Sequence, residues 1–245
     1  AAKTKSSGSN LPTTLRHTTF DGSSQVTLKE VQFTAAITSL NSTRYGLAPA
    51  AIHDFNLAKD PTTSYRYDDL SQVWYTSTTC PADQERMVVE VLETTSRDLD
   101  VFVGTGTTPQ SALETAKAVG SPRLEYLNIV RPAFSGPCWI MVQNFSPSTE
   151  GVADSVKLAV GFVPRTIDGV FTVTGPASVP ALAPFEIGVN YSLTGFTEPN
   201  RWAWYGYLTL GSAAGRTDDI GIMDVNLYKT LTLRKIPLSL PLINR

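Results

Sequence analysis

Short alternating strands separated by turn residues predict a mainly β protein, built as two antiparallel β-sandwich modules (jelly-roll or Ig-like) in tandem. Three observations carry this expectation. Sixteen Pro and 17 Gly supply frequent turns. Hydrophobic residues make up 42% of the 245 positions, enough for a sizeable core. Apolar side chains recur at alternate positions, the period of a strand with one covered face, instead of at helical spacing.

Residues 1–64 read as an N-terminal linker or extra strands, 65–164 as the first sandwich and 165–245 as the second. Residues 1–24 are polar, with Gly8, Ser9, Asn10, Pro12 and Asp21-Gly22. From Val26 to Leu40 the alternation runs through Val26 and Leu28, then Val31, Phe33, Ala35 and Ile37. It slips phase near Glu30, which predicts a bulge or a turn. Residues 41–72 mix turn signals at Asn41-Ser42, Tyr45-Gly46 and Asp60-Pro61 with short apolar pieces.

Within the first sandwich, 87–93 predicts a strand and 96–98 a turn. Residues 99–103 predict a second strand with Leu99, Val101 and Val103 on one face. Residues 110–118 fit a short helix or a loop. Residues 123–130 alternate. Gly136-Pro137 introduces a strand over 138–144, with Trp139 and Met141 opposite Ile140 and Val142, and 156–162 closes the block. Pro164 and Asp168-Gly169 mark a boundary. Strands are then expected over 170–174, 185–191, 202–211 and 220–227. Residues 230–242, with Pro237 and Pro241, suit an edge strand or a packed tail.

Charge excludes some functions. The formal net charge is -2 and charged residues are 17% of the chain, which argues against a nucleic-acid binder, since those usually carry a clustered basic face. No apolar run reaches the roughly 18 residues that a membrane-spanning helix needs. The chain opens on Ala1-Ala2-Lys3, without Met or a signal-peptide core, so it reads as a mature fragment or an excised piece of a precursor. The even pair Cys80 and Cys138 suggests one disulfide formed in an oxidising, extracellular compartment; two buried free thiols are the alternative. Such a bridge would contribute about 4 kcal/mol by restricting the unfolded chain. Sequons stand at Asn41, Asn144 and Asn190, and decide nothing alone.

Catalytic material is sparse. His17 and His53 are the two histidines, and neither lies near a Ser-centred elbow, so no catalytic residue is assigned. Gly104-Thr105-Gly106 lacks the third glycine and the helix of a dinucleotide fingerprint, and reads as a turn. Asp98 and Asp100 place two carboxylates on one face of a strand end. Paired like charges favour a bound cation, and calcium takes oxygen ligands; solvated acids capping a turn are the alternative. Asp218-Asp219 and Asp68-Asp69 are weaker cases. In 202–211, alternation puts Trp202, Trp204, Leu208 and Leu210 on one face. Tyr205 and Tyr207 fall on the other, where they offer a binding patch for a polymeric substrate if exposed, or cross-strand packing if not.

Three blocks resemble the bacterial pre-peptidase C-terminal domain: Val88-Val89-Glu90-Val91, Arg97 through Gly104, and Gly136 through Asn144. That family carries a DLD strand followed by a G-x-Y-x-V-x-V strand, and here Trp139 or Cys138 stands near the usual aromatic. The stretch from Phe171 through Gly175-Pro176 and Trp204-Tyr205-Gly206-Tyr207 to Asp219-Ile220-Gly221 looks like the last module of secreted bacterial subtilisin-like serine proteases. The catalytic signatures of those enzymes are absent. The resemblance therefore implies a non-catalytic accessory region, assisting secretion, maturation or attachment to substrate. Its partners would be its own protease catalytic domain and an insoluble protein or polysaccharide. A carbohydrate-binding or adhesin-type surface module is the alternative.

Overall fold

The computed structural model describes residues 8–19, 23–63, 65–120, 124–167, 170–193 and 203–229. Its strands are β1 (Thr14–Thr19), β2 (Ser23–Val31), β3 (Asn41–Pro49), β4 (Ala51–Leu57), β5 (Trp74–Cys80), β6 (Gln84–Thr94), β7 (Asp98–Thr105), β8 (Glu114–Ala118), β9 (Tyr126–Val130), β10 (Gly136–Ser146), β11 (Asp154–Pro164), β12 (Phe171–Thr174), β13 (Phe185–Ser192), β14 (Ala203–Gly211) and β15 (Gly221–Lys229). Helical structure among the described residues is limited to two 3-10 turns, Leu70–Gln72 and Ser111–Leu113. The mainly β class read from the sequence holds.

Four sheets result, ordered β12-β13-β2, β1-β15-β14-β3, β4-β11-β6-β9 and β5-β10-β7-β8. All neighbours are antiparallel except β1 and β15, which run parallel. The apolar clusters show how the sheets stack. Phe171, Ile187, Val189, Trp204, Leu208 and Val225 fill the space between the first and second sheets. Ala50, Val88, Ala159, Val163, Ala203 and Tyr205 lie between the second and third. Leu99, Val101, Val103, Ile140, Leu158 and Val160 lie between the third and fourth. A last cluster of Val73, Phe102, Trp139 and Met141, with Tyr67 and Leu70 against it, covers the outer face of the fourth sheet.

Chain order and layer order differ. Strands β4–β11 form the third and fourth sheets as one continuous run, whereas β1–β3 join β12–β15 in the first and second. The N-terminal region expected as a linker or extra strands thus supplies four strands, and the run 51–164 is inserted between β3 and β12. Its β4 pairs with β11, Asp154 opposite Leu57. The pairings that decide this, β1 with β15 and β2 with β13, span most of the chain and leave no local periodic signal.

Local expectations fare variously. Glu30 takes a left-handed φ of 54°, and the β13–β2 register shifts there, so the phase slip is a bulge. Residues 114–118, expected within a helix or loop, form edge strand β8 against β7. The expected tail over 230–242, the Asp168-Gly169 turn and Trp202 lie outside the described residues. Cys80 and Cys138 form a disulfide across neighbouring strands β5 and β10, with Cα atoms 5.8 Å apart.

Candidate functional site

Strand β7 turns Leu99, Val101 and Val103 into the core between the third and fourth sheets. The pleat therefore sends Asp98, Asp100 and Phe102 to the outer face. Phe102 is covered there by the segment between β4 and β5, and Arg66 from that segment lies 3.9 Å over its ring. Arg66 and Tyr67 both reach the Glu114 carboxylate, at 2.6 Å and 2.5 Å. The two aspartates continue the same face beyond this apolar patch. Strand β8 pairs only with the 101–104 part of β7, so on that edge no strand pairs with them, while β10 runs along their other side.

What surrounds the aspartates is rich in oxygen. Gln143 is the β10 partner opposite Asp100. Its amide nitrogen donates to Asp60 Oδ2 at 2.6 Å and to the Thr63 carbonyl at 3.2 Å. The Gly120 backbone N–H donates to Asp100 Oδ1 at 3.3 Å. The chain then runs on to Glu125, whose carbonyl accepts from the Val91 N–H at 2.9 Å. Glu125 is 4% exposed, Gln143 1% and Asp100 9%. Three of the oxygens here, Asp98 Oδ1, Glu125 Oε1 and Gln143 Oε1, are buried without a hydrogen-bond partner.

Charge follows burial. Desolvation raises the Asp98 carboxyl above its ordinary range. It does the same at Asp100, aided by the charge of Asp98 and opposed by the Gly120 N–H, Arg66 and Lys117. Glu125 is pushed up to about 7, first by burial and then by the charges of Asp100 and Asp98. The three carboxyl groups therefore share one electrostatic neighbourhood. Among the described residues, no three His, Cys, Asp or Glu side chains converge as a ready-made metal set. A cation held here would depend on other oxygens as well.

Tyr205 and Tyr207 require a correction. Alternation assigns them correctly to the face of β14 opposite Trp204, but that face is not free. The third sheet covers it, and the two tyrosines are 0% and 3% exposed. The Tyr205 ring lies directly on Gly161 of β11, where a Cβ would collide with it. Its hydroxyl donates to Glu90 Oε2 at 2.7 Å, and burial raises its pKa well above the usual value. Tyr228 and Arg16 reach the same Glu90 carboxylate, each at 2.9 Å. Neither tyrosine can form the exposed patch expected for a polymeric substrate.

The remaining candidates are structural. His53 packs on Trp74 with ring centroids 5.2 Å apart, and burial lowers its pKa. His17 stands edge-on to Tyr191 at 6.0 Å. Asp219 receives the Ser212 N–H and hydroxyl, and Asp69 receives those of Ser71, so both aspartates serve as turn caps. Asn144, a sequon residue, is 0% exposed and bonded to Ser96, Asp154 and the Leu57 carbonyl. That leaves no room for a glycan at Asn144 in the folded chain.

A cavity of about 260 Å3 opens where the second and third sheets meet, lined by Arg16, Glu90, Leu92, Leu124, Tyr126 and Tyr228 among others. The sequence reading missed it because its walls come from four strands and the segment entering β9. Comparison with protein-family models, with curated proteins and with solved structures finds no match for the chain.

Proposed function

We propose that the chain is a non-catalytic accessory region of a secreted subtilisin-like serine protease, assisting its secretion or maturation or holding it at a protein substrate. The observation that carries this reading is the pairing of the blocks that resemble the pre-peptidase C-terminal domain. The DLD block is β7 and the Gly136 to Asn144 block is most of β10, and they are neighbours in one sheet, Asp100 opposite Gln143 and Val103 opposite Ile140. A disulfide ties that sheet together through β5, which is compatible with an extracellular setting. No helix among the described residues is long and apolar enough to cross a membrane. Attachment, in this reading, uses a surface other than Tyr205 and Tyr207.

A carbohydrate-binding or adhesin-type module is the second reading. The junction cavity favours it, since aromatic rings beside charged groups suit a small polar ligand. One experiment separates the two. The purified chain is sedimented with insoluble collagen, casein and chitin, beside Tyr126→Ala, and assayed for casein hydrolysis. Retention on collagen or casein without hydrolysis supports the accessory reading. Retention on chitin alone, lost in Tyr126→Ala, moves the assignment to the second. Casein turnover that survives repurification contradicts both.

A further inference from the structure

We propose that the cavity where the second and third sheets meet binds a small organic carboxylate with an apolar body, its charge held by Arg16 and Lys229 and its body by Leu92, Leu124 and the rings of Tyr126 and Tyr228. The walls come from both parts of the chain. Arg16 stands on β1, and Tyr228 and Lys229 end β15, all in the enclosing strands. Leu92 lies on β6, and Leu124 and Tyr126 lead into β9, in the inserted run. The space measures about 260 Å3, just below the roughly 300 Å3 at which small-molecule sites begin, so it takes one short chain or one ring. This ligand class depends on neither functional reading, because it follows from the cavity's walls alone.

The hydrogen-bonding capacity left in the cavity decides the sign of the ligand. Its carboxylates are already bonded. Glu90 is 5% exposed and accepts from the Tyr205 hydroxyl at 2.7 Å and from the Tyr228 hydroxyl and Arg16 at 2.9 Å. Glu93 is paired with Lys157 at 3.1 Å. A cationic ligand would have to displace one of these bonds. The donors are less fully used. Arg16 gives Nη1 to Glu90, and its Nε and Nη2 have no partner among the described residues. Its guanidinium carbon lies 4.6 Å from the centre of the Tyr126 ring and 5.9 Å from that of Tyr228, which fixes the fork in place. The side chain is still 48% exposed, so a ligand can reach it. Lys229 has no ion-pair partner among the described residues. Two cations with spare donors therefore stand beside aliphatic and aromatic walls. An arginine fork matches the two oxygens of a carboxylate. An inorganic anion would leave the apolar walls unused, and a neutral apolar molecule would leave the donors unused.

The test titrates the whole chain at pH 7 with octanoate and with N-acetyl-leucine by calorimetry, beside the uncharged octanamide and N-acetyl-leucinamide, and follows thermal melting with each. Octanoate stands for a fatty acid and N-acetyl-leucine for the C-terminal residue of a peptide; tighter binding of either one supports the site and names the source. Leu124→Glu and Lys229→Gln are measured in parallel, with Lys59→Gln as a control at a lysine outside the cavity. Arg16 is left in place because it also pairs with buried Glu90. One saturable site is expected, with a melting temperature that rises with acid concentration. The matching amide should bind at least about tenfold more weakly, since it loses a hydrogen bond between charged groups. Leu124 is 45% exposed, so Leu124→Glu leaves the core alone while setting a negative charge in the wall. It should weaken binding at least about tenfold and Lys229→Gln several-fold, with the control matching wild type. Neither saturable heat nor a melting shift with either acid overturns the proposal. So does an amide that binds as tightly as its acid, or binding that survives Leu124→Glu unchanged.

Discussion

Gly104 stands opposite Trp139 across the β7–β10 pair, and the indole lies over the place a side chain would take. Its Cβ would run into the Trp139 ring, which is fully buried and cannot retreat. Gly104→Ala should therefore destabilise the chain by about 1–3 kcal/mol, through overpacking and not through loss of a turn. Urea unfolding checks this, with the midpoint lowered and the slope unchanged. At this scale the sequence was informative about individual residues but not about their company. The Asp-Leu-Asp spacing correctly put Asp98 and Asp100 on one face. Glu125 and Gln143 escaped notice because sequence spacing gives no sign that they approach β7. For Tyr205, alternation names a face without saying what covers it, so the sequence alone does not choose between a binding patch and cross-strand packing.

Elements show the same division between local signal and distant cover. The bulge at Glu30 was legible because a register slip changes the apolar phase within a few residues. Strand β8 was not, since its short Glu-Thr-Ala-Lys-Ala stretch has little β-propensity and is held mainly by pairing with β7. The disulfide between β5 and β10 belongs to this scale too. The cysteine count anticipated it, and the β5–β10 register places the two residues diagonally across adjacent strands. Thiol labelling of the denatured, unreduced protein should find no reactive cysteine, and reduction should lower stability by about 4 kcal/mol. Two labelled thiols before reduction would show that the bridge does not form.

Over the whole molecule, the sequence foretold sandwiches but placed them side by side in chain order. The structure stacks four sheets, and the central strands of the two middle ones are covered on both faces. That is why β14 is buried along its full length and why β6 carries buried Arg86, Glu85 and Glu90 among its apolar residues. Arg86 is the centre of the junction. It is 0% exposed and reaches from β6 to the Gly206 carbonyl at 2.9 Å, to Asn226 Oδ1 at 2.8 Å and to Asp224 at 3.4 Å. It also bonds Asn128 at 2.6 Å and the Tyr126 hydroxyl within its own sheet. Removing one partner of such a buried network leaves the others desolvated and unpaired, at a cost of about 3–5 kcal/mol. Joined through this contact, the inserted strands 51–164 and the enclosing strands should unfold as one cooperative body. Scanning calorimetry of wild type and Arg86→Ala tests it most directly. Wild type should show one transition, with calorimetric and van't Hoff enthalpies equal, and the variant a lowered or split one. Two separate transitions in wild type, with Arg86→Ala leaving both unmoved, would contradict it.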